Sequence, residues 1–305
     1  MQNTTKNTIR YSAKPFVKWV GGKTQLISSI ERAIPTKLHN ALELTYIEPF
    51  VGGGAVLFWV LNNLTNIKKA IINDINPDLT TCYKTIRDNA TDLIIELKLI
   101  EKEYKALQSE ESRKEFYLMQ RKQFNIKSLG NIDNSALFIF LNRTCFNGLY
   151  RVNKKGLFNV PFGKYTNPTI CDENTIFADS ELLQKVEILT GDFEQTLKYA
   201  TEDTLFYFDP PYKPLCQTSS FTSYSKKEFN DDEQMRLKQF CDKLDKRGYL
   251  WILSNSDVKG KNADDNFFDD LYASFFIQRV DAKRSINANP EKRGFLKELL
   301  ITNHL

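Results

Sequence analysis

An apolar run, Leu205-Phe206-Tyr207-Phe208, stops abruptly at Asp209-Pro210-Pro211-Tyr212. The two prolines fix φ twice and remove two N–H donors, so the segment is stiff and its carbonyls are left to accept hydrogen bonds. A carboxylate beside a rigid carbonyl suits chemistry on an aromatic amine. Such a nitrogen is a poor nucleophile, because its lone pair is delocalised into the ring. An aspartate and a proline carbonyl together accept both amine hydrogens and favour the pyramidal nitrogen that attacks an electrophilic methyl. The Tyr212 ring offers a stacking surface for a base that has left its duplex. Asp209, Pro210, Pro211 and Tyr212 are therefore the candidate catalytic residues. Taken alone, the same tetrapeptide also fits a stiff surface turn.

Three other segments have the types and spacing of a nucleotide-like ligand site. Glu48-Pro49-Phe50-Val51-Gly52-Gly53-Gly54 ends a predicted strand and opens a predicted helix. Its glycines let the backbone turn sharply and approach a ligand closely. The full G-x-G-x-x-G spacing is missing, since Val56 and Leu57 occupy the later positions, and no Gly-Lys-Ser/Thr makes it a P-loop. Asn73-Asp74-Ile75-Asn76 ends the next strand about 20 residues on, where an acid binds ribose hydroxyls. In the segment 16–23, Trp19 offers an aromatic face and Lys23 an amine for the carboxylate of a zwitterionic ligand. Separately, these three fit a tight turn, a helix cap and a core tryptophan beside a solvated lysine equally well.

The elements that must position these residues alternate. Strands are predicted at 45–50, 69–75, 186–193, 204–209, 249–254, 275–280 and 297–302 from β-branched and aromatic runs. Helices are predicted at 23–33, 55–63 and 231–247. Alternation of this kind implies an α/β sheet with ligands at the carboxyl ends of its strands. It breaks between about 77 and 170, where helical patterns at 79–83, 93–107, 113–124 and 136–142 precede a loop-rich, Asn-rich, basic stretch. The expected organisation is a catalytic domain formed by 1–76 and 171–305, with a mainly helical insertion at 77–170.

The chain of 305 residues has a net charge of only +4, but the charge is regional. Residues 1–30 and 134–171 each carry five basic residues and no acid, and 279–297 carry six against Asp281 and Glu291. If the three converge they form a phosphate-binding face; separately they are solvated surfaces. No run reaches the ~18 apolar residues of a membrane span. The polar N-terminus has no signal-peptide core. Five scattered cysteines and two histidines imply neither a disulfide framework nor a metal site. A cytoplasmic protein with no membrane partner is expected.

In this order, the glycine turn, the Asn73-Asp74 strand end and the Asp-Pro-Pro-Tyr loop resemble the DNA adenine-N6 methyltransferases of the Dam family. This is the α-type or D12 class, with its recognition insertion between cofactor and catalytic blocks. The resemblance runs from about Lys14 to the C-terminus. It implies a Rossmann-like methyltransferase sheet of seven strands, mixed in direction, with an inserted helical target-recognition domain carrying a β-hairpin. It implies S-adenosylmethionine as cofactor, held at positions matching Trp19, Lys23, Phe50, Gly52, Gly54, Asp74, Asp192, Phe193 and Asp209. Within 141–163, Asn142-Arg143-Thr144-Cys145-Phe146-Asn147-Gly148-Leu149-Tyr150-Arg151 and Val160-Pro161-Phe162-Gly163 resemble the hairpin of members that methylate GATC. Carried over, Lys18 and Arg151 contact guanines, Leu149 and Pro161 touch the thymine methyl, and Asn147 meets the site or the orphaned thymine. Phe146 stands where the family often has a tyrosine wedge. Arg143 and Arg284 are further DNA candidates. The implied partner is double-stranded DNA, bound by a monomer, with a cognate restriction endonuclease left open. Two alternatives remain at this point: N4-cytosine methylation, against which Asp rather than Ser heads the loop, and a non-catalytic DNA-binding protein, against which Asp209 and Tyr212 are intact.

Overall fold

A computed structural model of the chain describes residues 11–212, 229–260, 262–283 and 295–304. A 3₁₀ turn at Lys23–Gln25 is followed by α1 (Ile27–Ala33), α2 (Thr36–His39), β1 (Leu44–Glu48), α3 (Ala55–Asn63) and β2 (Ile67–Asp74). The insertion supplies α4 (Pro77–Ala106), α5 (Glu110–Ile126) and α6 (Asn131–Thr144). Then come α7 (Glu173–Leu183), β3 (Val186–Thr190), β4 (Thr204–Phe208), α8 (Asp231–Asp245), β5 (Leu250–Ser256), α9 (Phe267–Leu271), β6 (Phe276–Lys283) and β7 (Phe295–Thr302).

The seven strands form one mixed sheet in the order β3-β2-β1-β4-β5-β7-β6. The first five are parallel, while β7 runs antiparallel to both β5 and β6. This is the seven-stranded mixed sheet expected. The chain winds outward in both directions from β1 and β4, so the crevice of an open α/β sheet lies beyond the carboxyl ends of those two strands.

Strand alternation sorts the side chains onto two faces. Tyr46, Leu205, Tyr207, Ile252 and Leu300 join one buried cluster, which also contains Tyr83, Leu97, Tyr117, Phe124 and Phe140 of α4, α5 and α6. Insertion and sheet therefore share one core. The alternate residues Ile47, Phe206, Phe208, Trp251, Leu253 and Leu299 face a second cluster with Leu237, Phe240 and Leu244 of α8. By the same parity, Glu48, Asp209, Ser254 and Glu298 lie on the insertion side, where the polar ends of four strands meet.

The two helices predicted at 79–83 and 93–107 are one element, α4, with a kink at Asn89 (φ −138°). Asn76 caps it through the Asp78 and Leu79 N–H groups. Sequence periodicity missed α2, α7 and α9: two are short, and α7 follows a loop with no strong stop signal. Among the described residues, no helix is long and apolar enough to cross a membrane, and no cluster of His, Cys, Asp or Glu could hold a metal.

Candidate active site and nucleic-acid interface

Asp209 stands one residue past β4, at the strand-order reversal. Lys23 Nζ lies 2.8 Å from its Oδ1, and Ser254 Oγ donates to the same oxygen at 3.3 Å. No described donor reaches Oδ2. Lys23 is almost fully buried, at 3% exposure, although it opens a helical turn that reads as solvated. Its ammonium also donates to the Gly21 carbonyl (2.9 Å), lies 3.9 Å from Glu298 Oε2 and sits 4.5 Å from the Tyr212 ring centroid. The Tyr212 hydroxyl donates to Glu298 Oε2 at 2.7 Å. Gln234 of α8 donates to the Pro211 carbonyl (3.2 Å), while the Pro210 carbonyl has no donor among the described residues. Among the described residues, neither Asp209 Oδ2 nor the Pro210 carbonyl has a donor. Burial pushes the Asp209 pKa up, and Lys23 opposes that rise.

Below the loop, Tyr207 and Ser254 hydroxyls are 2.9 Å apart, and Tyr46 donates to Glu48 at 2.7 Å. Burial raises the Glu48 carboxyl well above the usual range. Ser254 and Glu298 belong to no short motif, and Glu48 heads the glycine-turn segment without having been a site candidate. Each sits within a predicted strand or at its end, where a polar residue reads as solvent-facing.

The glycine turn after β1 is shaped by its neighbours. Gly52 (φ +49°) and Gly54 (φ +76°) occupy left-handed backbone that disfavours side chains. A Cβ on Gly52 would stand 2.9 Å from the Trp19 indole, one on Gly53 would stand 2.8 Å from Trp19 Cβ, and one on Gly54 would collide with the Tyr83 hydroxyl. Asp74 accepts from the Gly52 N–H (3.1 Å) and the Asn76 N–H (2.9 Å), joining the turn to the end of β2. Burial lifts its carboxyl to about 6 against those bonds. Phe50 packs 5.2 Å from Phe193 and 5.6 Å, edge-on, from Phe229, which sequence reading missed. Arg236, also missed, clamps Asp192 through both oxygens (3.1 and 2.7 Å) and covers the Phe193 ring at 4.2 Å.

Two arms, 144–153 and 157–163, run antiparallel after α6. Isolated bridges at Cys145–Phe162 and Val152–Phe158 join them, rather than a continuous ladder. The second arm is held from α5 by side chains one turn apart: Tyr117 and Arg121 donate to the Val160 carbonyl (2.7 and 3.0 Å), and Asn125 exchanges two bonds with Phe158 (2.9 and 2.8 Å). Arg151 is fixed across the arms by Asn159, Nε to Oδ1 at 2.8 Å. Phe146, Asn147 and Pro161 are exposed, and Phe146 N–H donates to the Pro161 carbonyl (2.9 Å). Leu149 is half-buried. Asn142 grips Lys18 through its N–H and carbonyl, both 2.8 Å, and donates to Gly148, whose missing Cβ makes room for the Lys18 stem. Six of the DNA candidates are therefore gathered on one loop and the segment beside it.

Arg143 is not among them, which corrects the expectation for it. Its guanidinium turns inward and donates to the Phe16 carbonyl at 2.8 Å, because the last turn of α6 lies against the N-terminal segment. The basic segments are also less free than their charge implies: Lys14 pairs with Asp172, Lys164 with Glu110, and Arg279 with Asp257 and Asp269. Arg284 lies outside the described residues.

The family described as D12 class N6 adenine-specific DNA methyltransferase matches residues 19–286. The chain belongs to this family. It is 52% identical over 295 residues to the type II methyltransferase M.MjaIII of Methanocaldococcus jannaschii, covering 95% of this chain and 99% of the relative. It is 38% identical to the DNA adenine methylase of Haemophilus influenzae, covering 94% and 92%. The identity to the DNA adenine methylase of Escherichia coli is 30%, covering 94% of each chain. An adenine-specific DNA methyltransferase is thus the enzyme to which the Asp209–Tyr212 loop and its sheet belong.

Proposed function

We propose that the chain transfers a methyl group from S-adenosylmethionine to N6 of an adenine flipped out of duplex DNA, with GATC as the target sequence. The observation that carries this reading is the Asp209 carboxylate, held on Oδ1 by Lys23 and Ser254 with no donor to Oδ2 among the described residues. Oδ2 and the Pro210 carbonyl are the acceptors for the hydrogens of the target amine, and Lys23 opposes the rise that burial imposes on the Asp209 pKa. Tyr212 gives the flipped base a stacking partner.

The cofactor supplies an electrophilic methyl on a sulfonium. The residues present fit it. Asp74, fixed by two backbone N–H groups, has an oxygen set suited to ribose hydroxyls. Phe50, Phe193 and Phe229 form an aromatic wall suited to an adenine ring, with Asp192 beside it. Trp19, Gly52 and Gly54 shape the turn between them, while the Lys23 ammonium is engaged by Asp209 and the Gly21 carbonyl.

Lys18, Phe146, Asn147, Leu149, Arg151 and Pro161 read the duplex. The chain is taken to act as a monomer. Similarity to a type II methyltransferase favours a restriction–modification setting, with a nuclease of the same specificity as partner. The test is methyl transfer from labelled S-adenosylmethionine to a GATC duplex and to a scrambled duplex. Wild type labels the first and not the second. Asp209→Ala loses turnover by on the order of a hundredfold or more while retaining DNA binding. No transfer by wild type to either duplex would sink the reading.

A further inference from the structure

Glu298 lies on β7 at the register of Ser256 on β5 and Val280 on β6, so its backbone is held from both sides. Because β7 is antiparallel to β5, this early position on β7 reaches the carboxyl end of the parallel strands. There its Oε2 accepts from the Tyr212 hydroxyl at 2.7 Å and stands 3.9 Å from the Lys23 ammonium. Asp209 takes the other side of that ammonium at 2.8 Å. Both carboxylates are partly buried, with side-chain exposures of 20% and 22%, and one lysine serves them.

Two carboxylates sharing one cation cost stability, since the second is incompletely compensated. A residue kept at such a cost beside a reacting group points to a role in the reaction. We propose that Glu298 is a positioning residue for methyl transfer: it fixes the Tyr212 ring for stacking on the target base and sets the charge that Lys23 presents to Asp209. This rests on the reading of the Asp209–Tyr212 loop as the adenine site. Tyr212 follows two prolines, and its hydroxyl bond to β7, a strand paired on both sides, ties the ring to the sheet. Its hydroxyl remains a donor because burial and the nearby carboxylates raise its pKa well above the ordinary value. The charged and titratable groups facing this cluster are Lys23 from the 3₁₀ turn, Tyr46 and Glu48 from β1, Tyr207 from β4, and Asp209 and Tyr212 from the loop.

A double-mutant cycle tests the link. Single-turnover methyl transfer is measured for Glu298→Ala, Tyr212→Phe and the double variant, with DNA affinity measured in parallel. Each single change is expected to slow transfer by on the order of tenfold or more and to leave DNA affinity unchanged. The double variant is expected to be no slower than the slower single variant. Glu298→Gln keeps an acceptor for Tyr212 and removes the charge. It should restore most of the rate at neutral pH and move the acid limb of the rate–pH profile to lower pH, because Glu298 raises Asp209. Effects that multiply in the cycle, or a Glu298→Gln profile superimposable on wild type, would overturn the inference. If Glu298→Ala does not fold, the Glu298→Gln profile alone decides. Wild type that fails to methylate at all would instead refute the parent reading.

Discussion

Asp74 is the residue whose local physics is most exposed to measurement. Its carboxyl is lifted to about 6 by burial, yet two backbone N–H bonds hold it in place. Under the proposed cofactor role, the ionised carboxylate above that value would accept hydrogen bonds from a ribose diol, and the proton below it would remove much of that capacity. KM for S-adenosylmethionine should therefore rise as pH falls from 7 to 5, with kcat at saturating cofactor moving less. Asp74→Asn should raise KM by on the order of tenfold at neutral pH and flatten its pH dependence. A wild-type KM independent of pH over this range would contradict the role. Asp209 differs: its cationic partner Lys23 offsets burial, and the glycine turn offers Asp74 only dipoles.

The hairpin shows what an element adds to a residue. Its two isolated bridges would not hold a free ribbon in water, since a lone two-stranded hairpin is marginal. Tyr117, Arg121 and Asn125, spaced one turn apart on α5, tie its second arm down by backbone bonds. Arg151 is then clamped across to Asn159 through Nε and Nη2, which limits the positions its guanidinium can take for the proposed guanine contact. Arg151→Ala should relax sequence choice, shrinking the ratio of GATC to near-cognate methylation by roughly tenfold, within the 1–3 kcal/mol of one bidentate base contact. Competition with duplexes altered at single positions measures it. An equal loss on all sequences would make Arg151 a phosphate contact. None of α5's anchoring was legible beforehand, because Tyr, Arg and Asn at that spacing look like an ordinary solvated face until the arm they hold is in view.

Across the whole molecule, the N-terminal segment links distant parts. Lys14 N–H donates to Asp179 of α7, Arg143 of α6 holds the Phe16 carbonyl, and Asn142 holds Lys18 just before Trp19 meets the glycine turn. Asp179 is fully buried, one of its oxygens has no partner among the described residues, and burial lifts its carboxyl to about 8. Between its ordinary value near 3.8 and about 8, the folded chain holds a proton that the unfolded chain has lost. This contribution therefore makes stability fall as pH rises through that window. Asp179→Asn keeps an acceptor for Lys14 and cannot ionise. Its melting temperature should gain a few degrees on wild type between pH 5 and pH 9. Parallel profiles for the two proteins by calorimetry would show that Asp179 is not coupled to folding in this way.

The sequence by itself determined the chemistry of the catalytic loop, the glycine turn and the sheet. Asp-Pro-Pro-Tyr, three consecutive glycines and seven β-branched or aromatic runs act locally: prolines fix φ, glycines admit positive φ, and alternation buries alternate side chains. Those effects need no knowledge of the rest of the chain. Tertiary structure decided which groups share an ion. Lys23, Asp209 and Glu298 lie at positions far apart in the chain, and only a parallel sheet with an antiparallel β7 brings them together. It likewise turned Arg143 inward to the Phe16 carbonyl and set Arg151 across the hairpin arms against Asn159, although both are arginines of one basic segment. A side chain's type states what it can bond to; the fold decides which partner lies within reach.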